Sequence, residues 1–203
     1  LDATWDCSSS VYDDFTVQSL RDETINLVDT FTDTASTSLQ NHTVDEGDRW
    51  VKKAGSSTEN ITADTAGNDE ALMGTTAGES NVIYMAEPDA TSGDYAIDFV
   101  LKNMTTPTSP IVSNVIALGF YQDSDNYYGC SFRKNSVLSE IKLYTKVAGT
   151  VTTLDTQAVT YSAGQVLRCE FGSGYQKALI DGVEQASSTD TILTSTGKAG
   201  IGC

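Results

Sequence analysis

Short runs in which apolar and polar residues alternate dominate the sequence from residue 81 onward. The runs are rich in Val, Ile, Tyr and Phe, and they are separated by Gly, Asn, Asp and Ser. They cover residues 81–87, 94–104, 113–122, 126–135, 140–155 and 166–187. Alternation with a period of two, together with enrichment in β-branched and aromatic residues, predicts β-strands that have one buried and one solvated face.

The two longest runs contain their own turn signals. Residues 140–155 read as two strands around Ala148-Gly149, and residues 166–187 read as a three-strand meander that turns at Gly172-Ser173-Gly174 and Asp181-Gly182. Asp-Gly between alternating runs is among the strongest hairpin signals. Many short strands with regular turns predict a β-sandwich or jelly roll. We interpret residues 19–31 as a linker that leads into a strand over residues 27–33, rather than as a helix.

The charge of the chain restricts its partners. The chain has 203 residues, which favours a single domain, and its net charge is −16, from 12 basic and 28 acidic residues. A field of this sign repels phosphate backbones and anionic lipid headgroups, so we expect no nucleic-acid partner and no membrane partner. Acidic charge also keeps exposed proteins soluble. No apolar run approaches the roughly 20 residues of a membrane span.

Several segments, taken in order, resemble one family. They are LVDTFTD (27–33), GDRWVKKAGS (47–56), GFYQDSDNYYGCSFRK (119–134), residues 141–171 and YQKALIDGVEQA (175–186). Together they resemble concanavalin A-like, laminin-G-like jelly-roll domains of phage structural and bacterial surface proteins. The resemblance implies an all-β jelly-roll sandwich of two antiparallel sheets, located outside the cell or on a virion surface. Its motifs are structural and indicate little about function.

The order of two strands departs from the family pattern. Members of this family usually end with an Ala-Gly strand followed by an Asp-Asp-Phe strand, whereas here GKAGIGC ends the chain (197–203) and VYDDFTVQ begins it (11–18). Three explanations are open: the first strand closes its own sandwich, it fills the edge of a neighbouring subunit, or it is an unrelated edge strand. We therefore divide the chain into an N-terminal strand and linker (1–26) and a sandwich (27–203).

The residues that would form this closing or assembly strand are Tyr12, Phe15 and Val17. Alternation places Phe15 and Val17 on one face of the strand and Tyr12 on the other. We expect Phe15 and Val17 to fill the core side of a sheet edge, in the same chain or in a neighbour.

Four cysteines, Cys7, Cys130, Cys169 and Cys203, permit two disulfides in three possible pairings. If the two ends of the chain are joined as the family pattern implies, Cys7 and Cys203 meet at the seam, and we expect them to bond. Cys130 and Cys169 both fall on inferred core faces. They either pair or act as small buried hydrophobic residues.

The sequence contains no pattern typical of catalysis. Glucanases of this fold carry a Glu-x-Asp-x-x-Glu strand, which is absent here, and the one histidine, His42, lies in a polar stretch where a surface position is expected. We therefore expect a protein that is not an enzyme.

Two weaker ligand signals remain. Asp123, Asp125 and Asn126 place oxygen ligands in one tight loop, which suits Ca²⁺, although the same residues also form plain turns; we expect no other cofactor. Trp50, Tyr121 and Tyr127 are candidates for glycan binding.

Two functions follow from these observations. The first is a structural module of a virion surface or extracellular assembly, such as a decoration, fibre or filament subunit. Its N-terminal strand would contact copies of itself or other surface subunits. The alternative is a carbohydrate-binding or adhesion module that acts as a monomer.

Overall fold

The computed structural model describes residues 5–6, 10–19, 25–29, 31, 37–45, 49–54, 61–63, 71–73, 83–87, 94–104, 106, 108, 112–193 and 197–202. The strands are β1 (Trp5–Asp6), β2 (Ser10–Ser19), β3 (Ile25–Asp29), β4 (Thr37–Ser38), β5 (Arg49–Ala54), β6 (Ile61–Ala63), β7 (Ala71–Met73), β8 (Ile83–Glu87), β9 (Tyr95–Met104), β10 (Val112–Asp123), β11 (Asn126–Lys134), β12 (Ser139–Val147), β13 (Thr150–Ala158), β14 (Val166–Gly172), β15 (Tyr175–Ile180), β16 (Val183–Ser188) and β17 (Lys198–Gly202). A short 3-10 helix spans Leu39–Asn41. Within these described ranges, no helix has the length and apolar character needed to cross a membrane.

The strands form two sheets. The eight-stranded sheet has the order β13-β12-β11-β10-β17-β8-β5, with β1 also paired to β10. The nine-stranded sheet has the order β16-β15-β14-β9-β2-β7-β6-β4, with β3 also paired to β2. Pairing is antiparallel apart from β1 with β10. The prediction of an all-β sandwich of two antiparallel sheets is confirmed.

The predicted strands after residue 81 all form, and the turns have the expected chemistry. Ala148 and Gly149 both have positive φ, at 48° and 79°, as do Asp181 and Gly182, at 50° and 78°. Positive φ at both central residues is the requirement of the two-residue turn that matches strand twist. The strand expected over residues 27–33 begins earlier, at Ile25.

The core lies between the sheets and follows the alternation of each strand. Cys130 on β11 and Cys169 on β14 are fully buried and joined by a disulfide, so a covalent link connects the two sheets. The sequence left open whether these two cysteines pair or stay as buried thiols, and in the structure they are bonded. Phe99 and Phe132 meet edge to face beside it, with ring centroids 6.2 Å apart.

One corner of the core is built around a buried carboxylate. Asp29, at the end of β3, accepts hydrogen bonds from the Phe31 amide (2.8 Å), His42 Nε2 (2.7 Å) and Trp50 Nε1 (2.6 Å). The expectation that His42 lies on the surface is wrong: it is 6% exposed, because it closes this network. Charged groups are buried only with such partners.

The N-terminal strand lies inside the nine-stranded sheet of its own chain. β2 pairs with β9 along one side and with β3 and β7 along the other. Val17 is in the core at 1% exposure, whereas the side chains of Tyr12 and Phe15 lie outside the described residues. Exchange of this strand between copies, and the boundary at residues 26 and 27, stay predictions. The solution mass of the chain with and without residues 1–18 would test the exchange.

Within the eight-stranded sheet, β1 and β17, which are the first and last of its strands along the chain, lie on the same side of β10. Ser113 of β10 pairs with Lys134 of β11 on one side, so β1, which pairs with Val112 and Ser113, lies on the other side together with β17. Cys7 and Cys203, which follow these strands in sequence, lie outside the described residues. Their disulfide stays a prediction, and mass-spectrometric mapping of the non-reduced protein would test it.

Candidate functional site

The outer face of the eight-stranded sheet carries groups that the core does not use. On β11, Tyr128, Cys130 and Phe132 point into the core. The intervening residues point to the opposite side of the sheet. The same alternation on β10 and β12 gives the outward positions of the site, which are Asn114, Ile116, Leu118, Tyr127, Gly129, Ser131, Arg133, Glu140, Lys142, Tyr144 and Lys146.

One half of this face is a tyrosine cluster, defined here as Ile83, Met85, Leu118, Tyr121, Tyr127 and Tyr144. Tyr121 and Tyr127 stack with ring centroids 5.9 Å apart, and Tyr127 meets Tyr144 edge to face at 6.2 Å. The rings pack closely on one another, with each of the three tyrosines 5–7% exposed.

Two glycines allow this cluster to lie flat on the sheet. A Cβ at Gly129 would overlap the Tyr144 ring, and a Cβ at Gly200 would overlap the end of the Met85 side chain. Glycine inside a strand often marks a place where another group approaches the backbone closely. The large side chains therefore lie across the strands instead of standing upright on them.

The other half of the face is a polar cluster, defined here as Asn114, Ser131, Arg133, Glu140 and Lys142. The Ser131 hydroxyl donates to Asn114 Oδ1, and both residues are fully buried. Arg133 Nη1 donates to Glu140 Oε1 at 2.6 Å. Lys142 lies opposite Ser131 in the β11–β12 register.

Two lysines lie over tyrosine rings of this face, and one of them, Lys142, belongs to the polar cluster. Lys142 Nζ is 5.9 Å from the centroid of Tyr144, and Lys146 Nζ is 5.7 Å from that of Tyr127, within the range of cation–π attraction. Burial, and then the neighbouring Arg133 charge, lower the pKa of Lys142, while Glu140 acts in the opposite direction. Burial also raises the pKa of Tyr144 well above its usual value. The tyrosine hydroxyls therefore stay protonated and act as hydrogen-bond donors at neutral pH.

The structure separates the residues expected to bind glycans. It brings Tyr121 and Tyr127 together on the outer face, but Trp50 is 1% exposed in the core with its indole nitrogen bonded to Asp29. Trp50 therefore presents no ring face to a ligand. Sequence reasoning missed Met85, Tyr144 and the polar cluster. The available signal was the alternation along β11 and β12, because the residues between the core positions of these strands face outward.

The loop expected to suit calcium is held by turn interactions. Asp123 Oδ1 accepts hydrogen bonds from the Asp125 amide (2.8 Å) and Asn126 Nδ2 (2.9 Å), and Asn126 Oδ1 accepts one from the Ala148 amide (3.1 Å). Lys146 Nζ lies 3.4 Å from Asp125 Oδ1. No group of three or more His, Cys, Asp or Glu side chains that could hold a metal occurs among the residues that the structure describes. Thermal melts with calcium and with chelator would test the calcium hypothesis.

Comparison with solved structures assigns the fold. A carbohydrate-binding module, CBM66 from Bacillus subtilis, superposes with a TM-score of 0.54 at 11% identity, covering 76% of this chain and 86% of that chain. The chain has a concanavalin A-like jelly-roll fold. A glycosidic hydrolase (TM-score 0.50, 13% identity, 84% of this chain and 83% of that one) and a β-glucanase from Bacillus licheniformis (0.50, 12%, 84% and 85%) are also similar. No protein-family model and no curated protein sequence matches the chain.

These matches correct one expectation from the sequence. The conclusion that the protein is not an enzyme is overturned, because two of the similar structures named above are glycoside hydrolases by name. The missing Glu-x-Asp-x-x-Glu strand therefore does not exclude an enzyme on this scaffold. At 11–13% identity the similarity establishes the fold, while function depends on the residues of the site.

Proposed function

We propose that the protein binds carbohydrate on the outer face of its eight-stranded sheet. The observation that carries this proposal is the contact, on one outward face, between a tyrosine cluster and a polar cluster. Neither cluster belongs to the main hydrophobic cluster that contains Cys130 and Phe132.

The chemistry of the two clusters matches the chemistry of a sugar. Pyranose rings have apolar C–H faces and a rim of hydroxyls, so a binding site combines aromatic groups with a few placed donors and acceptors. Tyrosine supplies both an apolar body and a polar tip. On this face the hydroxyls of Tyr127 and Tyr144, the Arg133–Glu140 pair and the Lys142 ammonium provide those polar groups.

The fold supports the same proposal. One of the similar structures is a carbohydrate-binding module by name, and the superposition covers 86% of it. This support is coarse, because folds host many functions and the identity is 11%.

Binding to a panel of soluble polysaccharides, measured by affinity electrophoresis and then calorimetry, tests the proposal. Tyr144→Ala opens the tyrosine cluster and is expected to weaken binding by about tenfold or more, a loss of roughly 1.4 kcal/mol. Tyr175→Ala is the matched control, since Tyr175 lies across Gly172 on the outer face of the other sheet. Equal affinity of Tyr144→Ala and the wild-type protein would count against the proposed face.

We also propose an oxidising location, outside the cell or on a virion surface. The Cys130–Cys169 disulfide supports it, because such bonds form and persist in extracellular and periplasmic compartments. Thiol counting on protein isolated from its source without reductant tests this. Free thiols at both positions would contradict it.

A further inference from the structure

The positive charges of this acidic chain are concentrated on one sheet. Of its 12 basic residues, eight lie on strands of the eight-stranded sheet, which are Arg49, Lys52, Lys53, Arg133, Lys134, Lys142, Lys146 and Lys198. Those strands hold five acidic residues: Asp6, Glu87, Asp123, Glu140 and Asp155. The sheet is therefore net positive in a chain whose net charge is −16. Such a region attracts anionic ligands.

Within the polar cluster, the cations differ in their partners. Arg133 is paired with Glu140 at 2.6 Å, and nearby Lys146 lies 3.4 Å from Asp125. For the Lys142 ammonium, the described part of the chain provides a tyrosine ring but no ion pair and no hydrogen bond. The nearby Glu140 carboxylate is already paired with Arg133, so the partly buried Lys142 ammonium is only partly compensated, and an incoming anion would relieve that cost.

A second, independent group points to the same cluster. Asn114 is fully buried, its Oδ1 accepts the Ser131 hydroxyl, and its Nδ2 has no hydrogen-bond partner. Buried amide donors without partners are rare and require an explanation. Asn114 pairs with Arg133 across β10 and β11, and Ser131 pairs with Lys142 across β11 and β12. The Asn114 amide, which has no hydrogen-bond partner, and the Lys142 ammonium, which has no ion pair, therefore lie in two adjacent rows of paired residues.

We infer that the polar cluster receives the anionic group of an acidic sugar, with Lys142 as its counter-ion and Asn114 as a further donor, while the tyrosine cluster contacts the adjoining sugar. The inference rests on the proposed carbohydrate binding and adds the charge of the ligand to it. A carboxylate and a sulfate both have the required chemistry, since each accepts charge-assisted hydrogen bonds from an ammonium.

Three polysaccharide probes separate the possibilities: polygalacturonate for carboxylate, dextran sulfate for sulfate, and dextran as a neutral glucan. We expect at least one anionic probe to bind more tightly than dextran, with an affinity that falls as salt rises. Lys142→Gln removes the charge and leaves a polar side chain one atom shorter, and it is expected to weaken that binding about tenfold. Lys142→Arg is expected to retain it.

The matched control is Lys177→Gln, on the outer face of the nine-stranded sheet, which should leave anionic binding unchanged. Equal losses for Lys142→Gln and Lys177→Gln would overturn the inference, because binding would then follow net charge and not this site. Binding of dextran alone, unaffected by Lys142→Gln, would overturn the inference and leave the proposed function standing. Absence of binding to neutral and anionic polysaccharides alike would overturn both. Unchanged thermal melts establish that each variant is folded.

Discussion

Each outer face of the sandwich has a tyrosine ring packed over a strand glycine, but the surroundings of the two rings differ. On the eight-stranded sheet the Tyr144 ring lies across Gly129, and on the nine-stranded sheet the Tyr175 ring lies across Gly172. A tyrosine that covers a neighbouring strand glycine stabilises a sheet by itself. A tyrosine over a glycine is therefore no indication of a ligand site.

The neighbours of each tyrosine make the difference. Beside Tyr144 lie further tyrosines and the Lys142 ammonium, which forms no ion pair among the described residues. The nine-stranded face carries ion pairs, between Arg168 and Asp98 (3.7 Å) and between Lys177 and Glu184 (2.9 Å). Both faces carry ion pairs, but on the eight-stranded face the Lys142 ammonium has neither an ion pair nor a hydrogen bond among the described residues. This contrast leads us to place the site on the eight-stranded sheet.

The largest effect should come from removing the disulfide that connects the two sheets. Replacing Cys130 and Cys169 together by Ala removes a disulfide that closes 39 residues of sequence separation. We expect the free energy of unfolding to fall by about 3–4 kcal/mol in urea denaturation. Wild-type protein in reductant should match the double variant. A loss below about 1 kcal/mol would mean that the sheets are held by packing alone.

Two matched glycine variants should have a smaller effect on stability, and their effects on binding should distinguish the two outer faces. Gly129→Ala and Gly172→Ala each place a methyl group against a tyrosine ring, and we expect each to cost about 1–3 kcal/mol of stability. Because Tyr144 belongs to the proposed site and Tyr175 does not, only Gly129→Ala should weaken polysaccharide binding. Calorimetric titration of both variants at one temperature measures this. Parallel losses of affinity would remove the distinction between the faces.

The pH dependence of stability should also differ between the sheets. Burial raises the pKa of Asp98, while Arg168 lowers it and Glu170 raises it further. A raised folded-state pKa stabilises the folded protein below the unfolded-state value of 3.8, and this contribution is lost as pH rises through the folded-state value. Asp98→Asn should therefore gain stability relative to the wild-type protein as pH rises from about 4 to 7.

Asp123, at the end of β10, should show the opposite slope. Hydrogen bonds from the Asp125 amide and the Asn126 side chain lower its pKa. Its contribution is present above the unfolded-state pKa of 3.8 and is lost as pH falls through the folded-state value. Asp123→Asn should therefore differ less from the wild-type protein as the solution becomes acidic. Urea denaturation of both variants across this pH range measures the slopes, and slopes of the same sign would contradict the assignment.

Local patterns predicted the strands and turns but not the partners across the fold. Asp181-Gly182 identified its hairpin because the turn chemistry is contained in two residues. Trp50 and His42 were misplaced because their burial depends on Asp29, which lies 21 and 13 residues away. The tyrosine cluster depends on the registers that set Met85 beside Gly200 and Tyr144 beside Gly129. Sequence alternation gives the face of a residue but not its neighbours on adjacent strands.

The smallest effect concerns two ion pairs of similar geometry. Arg133–Glu140 has side chains 11% and 15% exposed, and Lys177–Glu184 has side chains 39% and 45% exposed. Water and lost side-chain freedom cancel most of the attraction in an exposed pair, whereas a shielded pair keeps more of it. A double-mutant cycle with Gln at each position should therefore give a coupling of about 1 kcal/mol for Arg133–Glu140 and no measurable coupling for Lys177–Glu184. An equally strong coupling between Lys177 and Glu184 would mean that burial does not strengthen the Arg133–Glu140 pair, and the contrast between the two faces would lose this support.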